Sequence, residues 1–353
     1  MKIVIINNGL ACGGIQRASI SMANYFATLG DEIFVVSVFE SDHFYQLDDR
    51  IYFIEPKHYI SHIPTVLQLM PFVRRTIRKI KPDTILAYGE WSNPFVCFSL
   101  VGLHYPLYLT DRMSPLLRLT IFHRILKRIF YPKADGIIAQ TEFAKRVISE
   151  RTGAQKFKVI PNPVNAIEKT NCEKSNSILY IGRLYGEKGC KYLVEAFARV
   201  DNTDWVLNII GDGIEMPNLK MLAEKLNIAD RVIFHGFKSN FIKEISEAKI
   251  YVLPSLSEGF PNALIEAMSV PVACVATKCS PAVEEFAQDG WNALLVPPAD
   301  SEMLAQAMQR LMNDKDLRMQ LERNAYDIRT KLCFDRIAKE YYDYITSCYH
   351  DNR

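Results

Sequence analysis

Glu258 and Glu266 stand with seven residues between them within Y-V-L-P-S-L-S-E-G-F-P-N-A-L-I-E-A-M, the stretch from Tyr251 to Met268. The stretch reads as strand, polar turn, helix. Tyr251, Val252 and Leu253 carry an apolar run that Pro254 stops. Gly259 permits a tight turn, and Pro261 suits a first helical position. Glu258 is expected in the loop and Glu266 in the early turns of the helix. A helix N-terminus offers free N–H groups to an anion, and a diphosphate fits there. A carboxylate accepts two hydrogen bonds side by side, which suits a ribose diol or sugar hydroxyls. The segment therefore suits a sugar joined through a diphosphate to a nucleoside.

A second loop carries the complementary charge. Gly182-Arg183-Leu184-Tyr185-Gly186-Glu187-Lys188-Gly189 follows the apolar strand Ile178–Ile181. Arg183 brings a planar fork and Lys188 a point charge, and either can meet a phosphate. Near the N-terminus, Asn8-Gly9-Leu10-Ala11-Cys12-Gly13-Gly14-Ile15-Gln16-Arg17 joins an all-apolar strand to a helix rich in small residues. G-x-G-x-x-G is absent there, yet Glu40 and Asp42 after the second strand could serve as a ribose partner. A Rossmann-type NAD-dependent oxidoreductase therefore stands as one alternative reading.

The string P-S-x-S-E-G-F-P-N-x-L-I-E-A-M resembles the donor signature of the retaining glycosyltransferases of family 4, which have a GT-B fold. G-R-L-x-x-x-K-G at 182–189 and the Gly13-Gly14-x-x-Arg17 loop resemble two further motifs of that family, the last lining the cleft opposite the donor. The resemblance implies an α/β GT-B architecture: two Rossmann-like doubly wound domains facing a central cleft. It implies sugar transfer from a nucleotide-diphosphate donor, with retention, to a glycan or a polyprenyl-diphosphate-linked acceptor in polysaccharide assembly. Glu258 would hold the donor sugar and Glu266 the ribose. Arg183, Lys188 and the N–H groups near Phe260–Asn262 would hold the diphosphate. Gly14, Phe237, Gly259, Pro261 and Leu264 complete the implied donor site. Asp111 and Arg112, in Thr110-Asp111-Arg112-Met113-Ser114-Pro115, and Gly13 fall to the sugar or acceptor side. Two departures stand out: Thr110 occupies the place of a family histidine, and Lys278-Cys279-Ser280-Pro281-Ala282 replaces a Gly-Gly pair. A non-catalytic nucleotide-sugar-binding protein is a further alternative.

The elements that must position these groups alternate strand and helix along the chain, which argues doubly wound parallel sheets. The break at Pro161-Asn162-Pro163-Val164-Asn165 and the polar stretch 168–177 mark an interdomain linker. The expected division is 1–164 plus a C-terminal helix over 335–353, against 165–334. The 353 residues suffice for two domains, with 49% apolar and 23% charged. Net charge is +2, so nothing points to nucleic acid. The cysteines at 12, 97, 172, 190, 274, 279, 333 and 348 form no C-x-x-C pair, which fits reduced thiols.

No cofactor and no metal are expected, because two cations can neutralise the leaving diphosphate. The D-x-D at Asp314-Lys315-Asp316 reads as a helix cap. Asp212, in Gly211-Asp212-Gly213, reads as a turn beside the donor, and His235 as a packed histidine. Residues 71–133 carry eleven Lys and Arg against Asp83, Glu90 and Asp111. Within Leu116–Tyr131, read as one helix, Leu117, Ile121, Ile125 and Ile129 form a stripe beside Arg124, Lys127 and Arg128. With the basic run in 65–81, this predicts peripheral attachment to an anionic membrane surface. No apolar run is long enough to span a bilayer, so the expected location is the cytoplasm or the cytoplasmic face of a membrane.

Overall fold

The computed structural model describes residues 1–11, 13–57, 65–164, 173–201, 203–238 and 240–350; side chains are described except at 65–67 and 348–350. Cys12 of the glycine loop, Asn165 and residues 168–172 of the expected linker and 351–353 of the expected C-terminal helix lie outside these residues. The chain divides into two compact units, Met1–Asn162 with Asp335–Arg353, and Pro163–Phe334.

The first unit is built on seven parallel strands: β1 Lys2–Asn7, β2 Glu32–Ser37, β3 Tyr52–Ile54, β4 Thr84–Tyr88, β5 Leu107–Thr110, β6 Gly136–Ala139 and β7 Phe157–Val159. Their order is β3-β2-β1-β4-β5-β6-β7. The second unit holds β8 Ser175–Ile181, β9 Val206–Ile210, β10 Val232–Gly236, β11 Ala248–Leu253, β12 Ala273–Thr277 and β13 Leu294–Val296, in the order β10-β9-β8-β11-β12-β13. All the pairings are parallel. Near-continuous burial along β1, β4, β11 and β12 is what helices on both faces of a sheet impose. In each sheet the direction of winding reverses at one place, between β1 and β4 and between β8 and β11. Ligands of open parallel sheets gather beyond the strand ends at such a reversal.

Each unit has its own core. Ile6, Val36, Val73, Ile85 and Leu109 centre the first, and Leu193, Phe197, Leu207, Val252 and Met308 the second. Helix ends follow local side-chain chemistry. Thr141 caps Glu142–Thr152, and Gly153 closes it with φ 77°. Asp314 Oδ1 accepts from the Leu317 N–H at 2.8 Å at the start of Lys315–Ala325, the capping role read for the D-x-D.

The helix Phe334–His350 packs on strands of the first unit. Thr84 Oγ1 donates to the Ile345 carbonyl at 2.8 Å, and Tyr342 Oη donates to Asp31 Oδ2 at 2.6 Å. Two boundaries differ from the sequence reading. The helix expected from Leu116 begins at Ile121, because Thr120 takes an extended conformation and its hydroxyl accepts the His123 N–H. Leu117 therefore leaves the helical stripe. Pro261 precedes rather than opens the helix Asn262–Met268.

Candidate active site

In the second unit the loops after β8 and β11, which flank the winding reversal, are pinned together by backbone. Gly189 adopts φ +65°, and a Cβ there would lie 2.0 Å from the Pro254 carbonyl oxygen. The Leu256 N–H donates to the Glu187 carbonyl at 2.8 Å. Only glycine permits both the left-handed turn and that approach. Tyr180 Oη fixes the first loop from below, donating to the Arg183 carbonyl at 3.0 Å.

The pinning brings Lys188 and Glu258 together. Lys188 Nζ donates to Glu258 Oε1 at 2.8 Å, and Ser255 Oγ donates to the same oxygen at 2.7 Å. The Glu258 side chain is 8% exposed and that of Lys188 21%. A carboxylate so far from water requires such partners. Arg183 lies outside, largely exposed, within 3.5 Å of Glu187 and over the Tyr185 ring. Gly259, Phe260 and Pro261 are buried, with Phe260 edge-on to Phe286. Leu264 is wholly buried. Glu266 is half-buried and Asn262 exposed on the same helix. Phe237 is 66% exposed after β10. Asp212 Oδ1 accepts the Gly213 N–H, and Gly211 lets that turn close onto the Gly182 carbonyl. His235 Nε2 lies 2.8 Å from Asn208 Oδ1, a packed histidine; burial and Lys238 lower its pKa.

The first unit gathers a different set at the ends of β4 and β5. Asp111 is buried and ion-paired to Lys127 Nζ at 2.5 Å. Tyr131 Oη donates to it at 2.7 Å and Asn93 Nδ2 at 3.1 Å. Arg112 turns inward between the Tyr88 and Tyr341 rings, donating to Asn162 Oδ1 and, at 2.9 Å, to Tyr341 Oη. Glu90, just past β4, is 4% exposed; its Oε1 accepts the Met113 N–H, and its Oε2 has no hydrogen-bond partner among the described residues. Burial, and then the charge of Asp111, push the Glu90 carboxyl up to about 7. Gly13 is extended and precedes the helix Gly14–Thr28. A Cβ on Gly14 would meet open space.

The family model for Glycosyltransferase Family 4 matches residues 12–167, and that for Glycosyl transferases group 1 matches 165–328. The chain is a family 4 glycosyltransferase. An uncharacterized glycosyltransferase of Haemophilus influenzae is 28% identical over 347 residues, covering 96% of this chain and 97% of that one. A Campylobacter jejuni enzyme named as an α-1,4-N-acetyl-D-galactosaminyltransferase acting on a diNAcBac-PP-undecaprenol-linked glycan is 25% identical, covering 92% of each chain. Among solved structures, HepE of Anabaena in complex with UDP has a TM-score of 0.86 at 18% identity, over 98% of this chain and 100% of that one. A Rickettsia africae glycosyltransferase has a TM-score of 0.84 at 20% identity, over 98% of both. The fold is GT-B.

In this glycosyltransferase the predicted donor residues Arg183, Lys188 and Glu258–Glu266 gather on two adjoining loops and one helix. Asp111 and Arg112, read as sugar or acceptor contacts, are engaged in the interior of the first unit. Sequence reading missed Ser255 as a Glu258 partner, although it lies within the quoted motif. It also missed Glu90. The signal was a carboxylate directly after a glycine at the end of a buried strand, Tyr88-Gly89-Glu90.

The helix Ile121–Phe130 of the transferase is turned opposite to an ordinary surface helix. Its buried residues are Lys127 and Phe130. Ile121, Phe122, Ile125 and Ile129 are 73, 59, 51 and 46% exposed. Arg124 and Arg128 are exposed beside them, whereas Lys127, grouped with them in the sequence reading, is turned inward by Asp111. Among the described residues no helix is long and apolar enough to cross a membrane.

Proposed function

We propose that the enzyme transfers a sugar, with retention of configuration, from a nucleotide-diphosphate donor to a glycan or polyprenyl-diphosphate-linked acceptor during assembly of a bacterial surface polysaccharide. The observation that carries this reading is the Lys188–Glu258 contact beside the second unit's winding reversal. It sets a cation for the diphosphate against a carboxylate for sugar hydroxyls, with Arg183 on the same loop and Glu266 one helix away. The UDP complex of HepE and the PP-undecaprenol-linked acceptor named for the Campylobacter enzyme support the donor and acceptor classes.

In the proposed reaction the donor C1–O bond to the diphosphate breaks and the acceptor oxygen bonds to C1 on the same face. The departing phosphate oxygen takes the acceptor proton. Arg183, Lys188 and N–H groups near Phe260–Asn262 stabilise the charge that builds on the diphosphate, so no divalent ion is required. Glu258 orients the sugar, and Glu266 the ribose.

The enzyme docks on an anionic leaflet through the helix Ile121–Phe130. The exposed isoleucines enter the interface while Arg124 and Arg128, with Arg75, Arg78 and Lys79 of the helix Thr65–Ile80, face lipid phosphates.

The test is to offer purified enzyme labelled nucleotide sugars and a membrane glycolipid extract, with and without EDTA. A labelled product whose new linkage keeps the donor's anomeric configuration, formed equally in EDTA, agrees with the proposal. An inverted linkage, or loss of transfer in EDTA with rescue by magnesium, contradicts it.

A further inference from the structure

Several buried polar atoms at the strand ends of the first unit lack a hydrogen-bond partner among the described residues, Asn8 Oδ1, Tyr88 Oη and Thr110 Oγ1 among them; Glu90 is another, and it also lines a cavity. It follows β4, which borders the winding reversal against β1, the place where open parallel sheets bind ligands. It floors a cavity of about 690 Å³ formed wholly by residues of the first unit. That volume lies within the range of small-molecule sites. One oxygen is occupied by the Met113 N–H, and the other is buried without a partner among the described residues. A buried oxygen in that state is costly, and a ligand hydroxyl donating to it removes the cost.

The rest of the wall fixes what else the ligand carries. Arg118, Arg124, Arg128 and Arg151 line the same cavity and are exposed, with Glu150 the acid among them. Arg151 is partly committed, donating to the Pro115 carbonyl at 2.6 Å. Lys127 and Asp111 also line it but neutralise each other. One end of the cavity thus asks for a hydroxyl donor, while the rim asks for an anion.

We infer that this cavity is the acceptor site of the transferase, that Glu90 holds a hydroxyl of the acceptor sugar, and that Arg124 and Arg128 hold a phosphate attached to that sugar. The inference rests on the proposed glycosyl transfer and adds to it the residues that select the acceptor. It also accounts for the charge of the rim on a helix whose outer face is apolar, since a sugar phosphate at the end of a lipid would arrive from that side.

The two contacts can be separated. The full-length protein is first saturated with UDP, so that phosphates do not report on the Arg183–Lys188 loop. It is then titrated by calorimetry or ligand-observed NMR with α-D-glucose 1-phosphate and, separately, with methyl α-D-glucopyranoside. The titrations are run at pH 8, where the Glu90 carboxyl has given up its proton, and Glu90→Gln then keeps an oxygen for the Met113 N–H but loses the charge. It is expected to weaken both probes about tenfold, the size of one charged hydrogen bond. Arg124→Gln with Arg128→Gln alters exposed positions only. It should weaken glucose 1-phosphate about tenfold or more and leave the neutral glucoside unchanged. Equal affinities in wild type and both variants, or an arginine variant that weakens both probes alike, would overturn the assignment. UDP binding with neither probe binding would also overturn it and leave the donor reading standing. Failure of UDP itself to bind would instead count against the donor reading.

Discussion

Lys188 Nζ and Ser255 Oγ both donate to a single oxygen of Glu258, at 2.8 and 2.7 Å. The contact bridges loops some seventy positions apart in sequence, and Gly189 against Pro254 makes it possible. Its consequence is that the groups proposed for sugar and diphosphate are positioned before any donor arrives. Preorganised charge costs no rearrangement during reaction.

Lys188→Ala should therefore lower turnover on the order of a hundredfold, and Arg183→Ala should do so too. Glu258→Ala should mainly reduce turnover, by about tenfold to a hundredfold. Steady-state kinetics with the true acceptor checks this; wild-type kcat in both Lys188→Ala and Glu258→Ala would rule out the assigned roles.

The Asp111–Lys127 pair is buried on both sides, with side chains 5% and 10% exposed. Lys127→Met should cost ~3–5 kcal/mol, because it leaves Asp111 buried with only Tyr131 and Asn93. Adding Asp111→Asn should recover part of that loss, since the second change removes the stranded charge. Urea unfolding of the single and double variants decides it. A double variant less stable than Lys127→Met would show that the pair is not the source.

Glu90 supplies a pH signature. In the unfolded chain its carboxyl ionises near 4.5, and in the folded chain it holds its proton to about 7. Between those values the folded state binds more protons, so this group's contribution lowers stability as pH rises through the window and is level above it. The loss amounts to a few kcal/mol, on the order of 1.4 per unit. Glu90→Gln should flatten the decline, so that its gain over wild type is larger at pH 8 than at pH 5. Equal gains at both pH values in denaturant melts would contradict the cause given.

Membrane docking predicts co-sedimentation with phosphatidylglycerol vesicles. Ile121→Ser with Ile125→Ser should weaken it at any salt, and Arg124→Glu with Arg128→Glu chiefly at low salt. Both pairs are exposed, so the melting temperature should hardly move. Vesicle binding indifferent to both pairs would exclude this helix as the anchor.

Much of this was legible in the chain. Local strings wrote the two parallel sheets and the Arg183, Lys188 and Glu258 loops, because glycines at strand ends and apolar runs act over few residues. What stayed hidden depends on distant partners. Lys127 reads as one more cation beside Arg124 and Arg128 until Asp111, sixteen positions away, turns it inward. Ile121, Ile125 and Ile129 read equally as a core face, since periodicity fixes which residues share a side but not which side is buried. Glu90 stands after a glycine at the end of a buried strand, but its contact with Met113, twenty-three positions away, does not show in its neighbours.

The proposed donor site holds a nucleotide sugar through Glu266 and the Lys188–Glu258 pair of the second unit. Thermal melting against a panel of nucleotide sugars, with NADH alongside, tests it most directly. A ligand at a hundred times its Kd stabilises the native state by about 2.7 kcal/mol. At least one nucleotide sugar should raise the wild-type Tm, Glu266→Ala should remove most of that rise, and NADH should have no effect. A rise with NADH and with no nucleotide sugar would contradict it.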